Sequence, residues 1–584
     1  MIRQFKPVKG GVLPTKYGAF DCETEGLYGQ AKLICLVIPN QPDRVFKGDN
    51  CVDEFIAEVT RPKYRGFHLY AHNLSFDLEK TFGKEGNTLD NKKFTLIAAG
   101  TRLIKAIYHF EGNKTLTLLD TLNLVPATSL AEIGNDMGYK KLKTPEKWLS
   151  GDPVTEITDE DIEYCIRDCK IVLKILDVYA EMLKPFKIKL KGTVGANAKA
   201  VWKAIELKDS GMFLNEEKDE RFRESYYGGR TEVFIRAFQK KRLYYYDINS
   251  MYPAAMMFNK FPNPDKLSYS KDLTKALKDD EGCAKLTVRI PDMAYPPLPY
   301  RSKKLIFPIG VITGTWNFPE IRLALDKGCE ILEIHWVLSS PPLNSPFKQY
   351  VEYFMGLKIK YHKEGKKALR NLAKRMLNSL YGKFAQRIDA EERYTHDEPC
   401  LGVPYKKMGE NTYKLKNVDK ERAMETVVCW SSYITSYARA MLYNFFPTSK
   451  GLYYCDTDSI VTDHELASEL VHDTEFGLMS VEDIIDESYF VAPKRYAYKN
   501  DKGKVIRKIK GVYKDVVKNI PLESFGQSIG VFYHKPYKTK TALSRGVKAY
   551  SKETVRKSLK TTDDKRLFDA GGESVPIKIV LIDG

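Results

Sequence analysis

The sequence predicts a multidomain fold of mixed α/β and α+β class, and three observations lead there. The chain has 584 residues, too many for one ordinary hydrophobic core. Its first part alternates short apolar runs with helical periodicity, the pattern of strands layered against helices. Further on, two aromatic runs that read as strands, Leu243-Tyr244-Tyr245-Tyr246 and Gly451-Leu452-Tyr453-Tyr454, each lead into carboxylates. A content of 43% hydrophobic and 12% aromatic residues excludes a disordered chain.

In chain order, Ala19-Phe20-Asp21 opens an acidic strand, and Lys32 to Ile38 reads as a buried one. The clearest helix runs from Thr158 to Leu183. Thr158 can cap it with Asp161, and Ile162, Ile166, Cys169, Leu173 and Leu176 form one apolar stripe. Lys184-Pro185-Phe186 ends that helix and, with it, a first domain over 1–188. A second unit, 189–261, holds the first aromatic strand. Residues 262–357 are rich in Pro and Gly and read as an insert. Leu357 to Phe384 is strongly helical, giving a unit over 358–387. A charged second insert follows at 388–425, then 426–525 with the second aromatic strand. The segment 526–584 is basic and ends in an apolar strand, Ile577 to Ile582.

Ninety-three Lys and Arg against 76 Asp and Glu leave a formal charge of +17. Clusters at Lys140–Lys143, Lys358–Lys374 and Lys494–Lys518 spread that charge along the chain, which suits a long phosphate backbone. The ten Cys contain no pair of C-x-x-C units, and Cys165 and Cys169 read as packing residues. No stretch approaches 18 consecutive apolar residues and no targeting segment is apparent, so a reducing cytosol is expected.

Asp247, Asp456 and Asp458 stand at strand ends, where crowded carboxylates repel one another. A hard divalent cation removes that penalty, so segments about 200 residues apart are expected to assemble a two-metal phosphoryl-transfer site. That points to a nucleic-acid polymerase. A second acidic set precedes it. Asp21 and Glu23 fall on one side of a strand, Asp77 adds a third carboxylate, and Tyr164 and Asp168 share one side of the Thr158 helix. Four carboxylates with a tyrosine hydroxyl can hold two metals and orient water for in-line attack on a phosphodiester.

Asp21-x-Glu23, Asn73-x-x-Phe76-Asp77 and Tyr164-x-x-x-Asp168 resemble the three exonuclease motifs of proofreading family B DNA polymerases. Asp247-Ile248-Asn249-Ser250-Met251-Tyr252-Pro253, Lys374-x-x-x-Asn378-Ser379-Leu380-Tyr381-Gly382 and Tyr454-Cys455-Asp456-Thr457-Asp458-Ser459 resemble that family's polymerase motifs A, B and C, in the same order. The short chain, its two inserts, Tyr226-Tyr227-Gly228-Gly229 and Lys494-Arg495-Tyr496 resemble the phage phi-29-like, protein-primed branch. The resemblance implies an RNase H-like 3′–5′ exonuclease domain (1–188). A right-hand polymerase would follow, of palm (189–261 and 426–525), fingers (358–387) and thumb (526–584), with two terminal-protein-region inserts. Met251 stands where Leu is usual, and the thumb has no motif that matches residue by residue.

The same resemblance implies roles. Asp247 and Asp458, with the Ile248 carbonyl, would ligate the polymerase metals, Asp456 supporting. Tyr252, Lys360, Lys374, Asn378 and Tyr381 would meet the nucleotide, the Tyr252 ring excluding a 2′-hydroxyl. Asp21, Glu23, Asp77 and Asp168 would hold the exonuclease metals, with Tyr164 orienting water and Lys143 supporting. Asn73, Phe76, Leu122 and Asn123 would grip a frayed primer end, while Tyr226, Gly228, Gly229, Lys494 and Tyr496 contact DNA. Two Mg²⁺ per active site are expected, with Mn²⁺ able to substitute. Expected partners are template and primer DNA, deoxynucleoside triphosphates and a terminal protein that supplies the priming hydroxyl. The chain would act alone or as a heterodimer with that protein. It would carry out processive, strand-displacing replication in the cytoplasm of a bacterial host, encoded by a phage or linear plasmid. Two other readings are a polymerase using ordinary nucleic-acid primers and a non-catalytic DNA-binding scaffold. The Tyr226–Gly229 motif and the inserts argue against the first, and the full set of carboxylates against the second.

Overall fold

The computed structural model describes residues 2–6, 16–82, 94–99, 102–110, 114–125, 129–207, 212–387, 391–395, 405–408, 413–415, 425–448, 450–537, 541, 552–559 and 564–580. Two sheets organise them. In the first, Tyr17–Thr24 pairs in parallel with His68–Ala71 and antiparallel with Ala31–Val37, close to the strand expected at Lys32–Ile38. Alternation divides its side chains. Phe20 and Cys22 join the core beneath the helices Cys51–Val59 and Leu74–Phe82, while Ala19 joins the core against the helix Asp159–Leu183. Asp21 and Glu23 therefore point toward that long helix.

The helix begins as its sequence predicts. The Thr158 hydroxyl accepts from the Asp161 N–H (3.4 Å), and the Asp161 carboxylate accepts from the Thr158 N–H (2.8 Å), a capping box. Its buried face is rotated from the expected stripe. Of the stripe, Cys169 and Leu176 are buried and Ile162, Ile166 and Leu173 half-buried, while Tyr164, Cys165, Asp168 and Val172 are buried beside it. The buried face of this helix carries Tyr164 and Asp168 among its apolar residues, polar groups that an apolar-stripe argument passes over.

The second sheet has seven antiparallel strands in the order Thr231–Val233, Leu452–Asp456, Ser459–Thr462, Phe238–Ile248, Met479–Ala492, Arg495–Asn500 and Val505–Ile509. Ser459–Thr462 pairs with both aromatic strands, so the ends of segments remote in sequence meet. Both expected inserts join neighbouring bodies through strands. Glu391–Thr395 pairs with Phe94–Ala99 and, with Tyr405–Lys407 and Tyr413–Leu415, extends the first sheet to ten strands. Residues 268–340 build a five-stranded sheet whose last member is Lys578–Ile579, parallel to Ile309–Gly310. The final apolar strand is thus seen over Lys578–Ile579; residues 581 and 582 lie outside the described residues.

The helical stretch expected from Leu357 consists of two helices, Lys348–Lys363 and Lys367–Phe384, broken at Gly365 (φ +69°). The expected boundary at 357/358 falls inside the first of them. The second lacks a capping side chain of its own, and Asp136 of the first domain supplies one, accepting from the Ala368 and Leu369 N–H groups.

Trp202 fastens these bodies together. Its ring lies 4.7 Å from Phe384, 5.6 Å from Trp430 and 6.3 Å from Phe347, and its Nε1–H donates to the Pro346 carbonyl at 2.6 Å. A buried ion triad ties the second sheet to the end of the chain. Glu232 on the edge strand, with no exposure, lies 2.6 Å from Arg230 and 3.7 Å from Arg566, which also donates to the Ala294 carbonyl at 3.0 Å. Trp202→Ala should leave an aromatic-sized cavity and destabilise the chain by about 3–5 kcal/mol, seen as a lowered first transition in thermal unfolding.

Candidate active sites

Asp247 ends the strand Phe238–Ile248, and Asp458 occupies the turn between Leu452–Asp456 and Ser459–Thr462. The Ile248 N–H donates to the Asp458 carbonyl at 2.7 Å, locking the two strand ends together. Burial raises the Asp247 pKa to about 7, helped by the charges of Asp458 and Glu482 and opposed by Lys374. Burial also raises Asp458, with Asp456 adding and Lys374 and Lys494 opposing. Asp456 is buried and held within its hairpin by Tyr454, Thr457 and Lys494 (Nζ to Oδ1 3.2 Å). An all-oxygen donor set that repels itself this way fits hard divalent cations.

A basic and aromatic wall faces these carboxylates. Lys374 and Asn378 lie exposed on one face of the helix Lys367–Phe384, with Tyr381 half-buried a turn further on. The Tyr381 ring stacks on Tyr252 at 4.6 Å with 8° between planes. Tyr252 belongs to the short helix Met251–Met257, which begins after Ser250 in the left-handed region (φ +51°). The Ser250 hydroxyl accepts from Lys358 Nζ at 2.9 Å, whereas Lys360 is exposed. Burial and the charges of Lys374 and Arg370 lower the Lys358 pKa. The Tyr226–Gly229 segment packs directly on the Asp458 turn. A Cβ on Gly229 would meet Thr457 Cγ2 at 2.8 Å, and Thr457, itself left-handed (φ +69°), donates its N–H to the Arg230 carbonyl at 2.7 Å. Arg439 fixes the same segment by donating to the Tyr227 and Gly228 carbonyls while paired with the buried Glu320. Tyr496 is buried against Tyr454 and Phe490, so it supports the Asp456 hairpin from within.

On the first sheet, Asp21 and Glu23 face Tyr164, Cys165 and Asp168 of the long helix. Burial raises Asp21 to about 7, with the Asp168 charge adding and Lys141 opposing; Glu23, Asp77 and Asp168 are raised as well, each by burial first. Asp77 reaches in from the helix Leu74–Phe82 and accepts from the Cys22 N–H at 3.2 Å. Asp168 Oδ2 is ion-paired with Lys141, and its Oδ1 is buried without a hydrogen-bond partner. This donor set also fits divalent cations. The Tyr164 hydroxyl is held by Lys141 Nζ (2.9 Å) and Thr144 Oγ1 (2.9 Å). Asn73, in the left-handed region (φ +72°), donates its N–H to Asp120, beside a half-buried Phe76 and Leu122. Asn123 is turned away: it is buried and its amide donates to the Leu103 carbonyl at 2.8 Å.

Besides the inward-turned Asn123 and Tyr496, two expected lysines give way to neighbours and one acid is unforeseen. Lys141, not the exposed Lys143, engages Asp168 and Tyr164. The two lysines sit two apart in a non-helical stretch, so spacing could not choose between them. Lys358, not Lys360, reaches the Ser250 turn. Here a signal existed, because Val351, Phe354 and Lys358 continue one helical face while Lys360 lies nearly opposite. Glu482 adds charge beside Asp247 from a strand whose register against Phe238–Ile248 shifts at that point, which sequence alone does not reveal.

The family model for organellar and viral type B DNA polymerases matches residues 137–475. A probable DNA polymerase of Ascobolus immersus is 28% identical over 380 residues, covering 60% of this chain and 31% of that one, so the chain spans under a third of this fungal relative. The DNA polymerase of Bacillus phage phi29 is 26% identical over 537 residues, covering 83% and 86%. Among solved structures, phi29 DNA polymerase complexed with primer-template DNA and incoming nucleotide superposes with a TM-score of 0.70 at 18% identity, over 94% of this chain and all of that one. That likeness is one of fold. Burial pushes the Asp21 and Asp247 carboxyls up to about 7, so a proton competes with a cation for each centre. Affinity for Mn²⁺, followed by electron paramagnetic resonance, should therefore weaken as the pH is lowered below about 7.

Proposed function

The chain belongs to the organellar and viral type B DNA polymerases, and on that footing we propose that it copies DNA and edits its own product by 3′–5′ excision. The observation that carries this reading is the pair of separate carboxylate centres, one on each sheet, the second with Lys374 and the stacked Tyr252 and Tyr381 beside it. Divalent cations, Mg²⁺ or Mn²⁺, held by Asp247, the Ile248 carbonyl and Asp458 in one centre and by Asp21, Glu23, Asp77 and Asp168 in the other, would neutralise phosphoryl charge and sharpen the oxygen nucleophile. The protein's own groups do the rest. Lys374, whose charge already reaches both Asp247 and Asp458, meets the triphosphate as a point charge, aided by Asn378. The Tyr252–Tyr381 stack forms a flat floor for the sugar and nascent pair, and the Lys358–Ser250 bond fixes where that floor begins. A 2′-hydroxyl would strike Tyr252. Lys494, paired with Asp456, and the Tyr226–Gly229 segment lie against the Asp458 turn, where a primer end must sit.

In the editing centre, Lys141 and Thr144 hold the Tyr164 hydroxyl in one place, ready to orient an attacking water, and Lys141 offsets the carboxylate charge around it. Asn73, Phe76 and Leu122 border the centre and would receive an unpaired primer end. We assign protein-primed initiation by a terminal protein as well, supported by the Tyr226–Gly229 motif, the two inserts and the Bacillus phage relatives. Those relatives favour a bacterial host cytoplasm, while fungal relatives carry the family beyond bacteria. Among the described residues no helix is long and apolar enough to cross a membrane.

Primer extension with Mg²⁺ and four deoxynucleotides tests the central claim, and absence of extension by the wild-type chain would refute it. Deoxyadenylate transfer to a partner protein tests the priming mode. Asp21→Ala with Asp77→Ala should abolish excision and retain extension. Lys141→Ala should slow excision by about 10²–10⁴-fold, with Lys143→Ala near wild type. Tyr252→Val should raise ribonucleotide incorporation in single-nucleotide assays; an unchanged ratio would remove Tyr252 from the gate.

A further inference from the structure

Cys165 gives the first-sheet centre a donor of a different kind. Its Sγ, one Asp21 oxygen and one Glu23 oxygen all lie within 4.8 Å of one another. The thiol approaches Asp21 twice, 3.5 Å from the backbone carbonyl and 3.9 Å from Oδ2. Cys165 and Asp168 are three apart on the helix and share a face. Asp168 is more than nine-tenths buried, and its Oδ1 has no hydrogen-bond partner. One sulfur and two carboxylate oxygens thus converge from a strand and a helix, with the Asp168 charge acting on both carboxylates from one turn along.

Hard cations of the Mg²⁺ type gain nothing from a sulfur, whereas thiolate selects softer ions such as zinc. Tetrahedral zinc holds sulfur at about 2.3 Å and oxygen at about 2.0–2.2 Å, which puts the donors roughly 3.5 Å apart. Rotation of the two strand carboxylates about their own side-chain bonds can supply that closing. The centre on the second sheet differs in this respect. Its neighbouring thiol, Cys455, precedes Asp456 on a strand, so alternation turns the two side chains to opposite faces, and Cys455 packs with Ile460 and Leu452.

We propose that Asp21, Glu23 and Cys165, with Asp168 beside them, form a site for a thiophilic divalent cation of the zinc class, which displaces the hard cations there and silences excision while leaving synthesis running. On binding, the metal–sulfur bond forms as the Sγ proton leaves to solvent, with no change of oxidation state. The silencing rests on the editing role proposed above; the metal site does not.

Cobalt(II) is the probe, because a thiolate ligand gives it a near-ultraviolet charge-transfer band that carboxylates do not. Titrating the metal-free full chain should produce that band, saturating at one equivalent and erased by Zn²⁺. Cys165→Ser should abolish it and weaken Zn²⁺ by more than about tenfold, a loss that disturbing even an outer partner of a metal can cause. A band that survives in Cys165→Ser, or none in the wild type, overturns the site. Should that variant misfold, X-ray absorption of zinc-loaded wild type decides: one sulfur neighbour supports the site, and a shell of oxygen alone overturns it. In excision assays Zn²⁺ should inhibit the wild type and spare extension. If the wild type performs no excision at all, the editing role fails while the spectroscopy still decides the metal site.

Discussion

Withdrawal of crowded carboxylates from water, with their mutual repulsion added, is the constraint around which this molecule is arranged. Asp247 and Asp458 on one sheet, and Asp21, Glu23, Asp77 and Asp168 on the other, are each held where water is scarce, and each of these acids is pushed toward its protonated form. A fold relaxes such a site unless its backbone cannot move. Here the backbone is pinned by strand pairing, by the Ile248 N–H to Asp458 carbonyl bond and by the Cys22 N–H to Asp77 bond. The stored cost of desolvation and repulsion is the affinity for cations in another guise.

The two centres meet that constraint differently. The second sheet disperses its compensating charge: Lys374 and Lys494 arrive from separate elements and stay partly in solvent, so a highly charged ligand can take their place beside the acids. The first sheet concentrates it, with Lys141 clamped on Asp168 and Tyr164. One centre keeps its compensating cations partly in solvent; the other holds its own lysine against the carboxylate.

Much of this was legible in the sequence. The carboxylates, the capped helix from Thr158 and the aromatic strands follow from local pattern, and all the acids fall where alternation and helical spacing put them. What escaped was geometry between segments. Whether Lys141 or Lys143 turns inward depends on the path of an irregular stretch, and Glu482 needed a register shift. Asn123 and Tyr496 were assigned outward roles, yet the enclosed amide of one and the ring packing of the other show that their polar groups serve the interior. Lys358 was legible in principle, because it continues the Val351–Phe354 face, but an amphipathic reading does not look for a cation there.

The Arg230–Glu232–Arg566 triad has a temporal side. Glu232 cannot be left charged in an apolar interior without both guanidinium groups, and the second is encoded roughly 330 residues later. A ribosome adding about 5–20 residues per second delivers that partner on the order of half a minute after Glu232 has left the exit tunnel. In that interval the edge strand that backs the Asp456 hairpin has to remain hydrated and unsealed. The catalytic sheet is begun early in translation and completed only when almost the whole described chain has emerged.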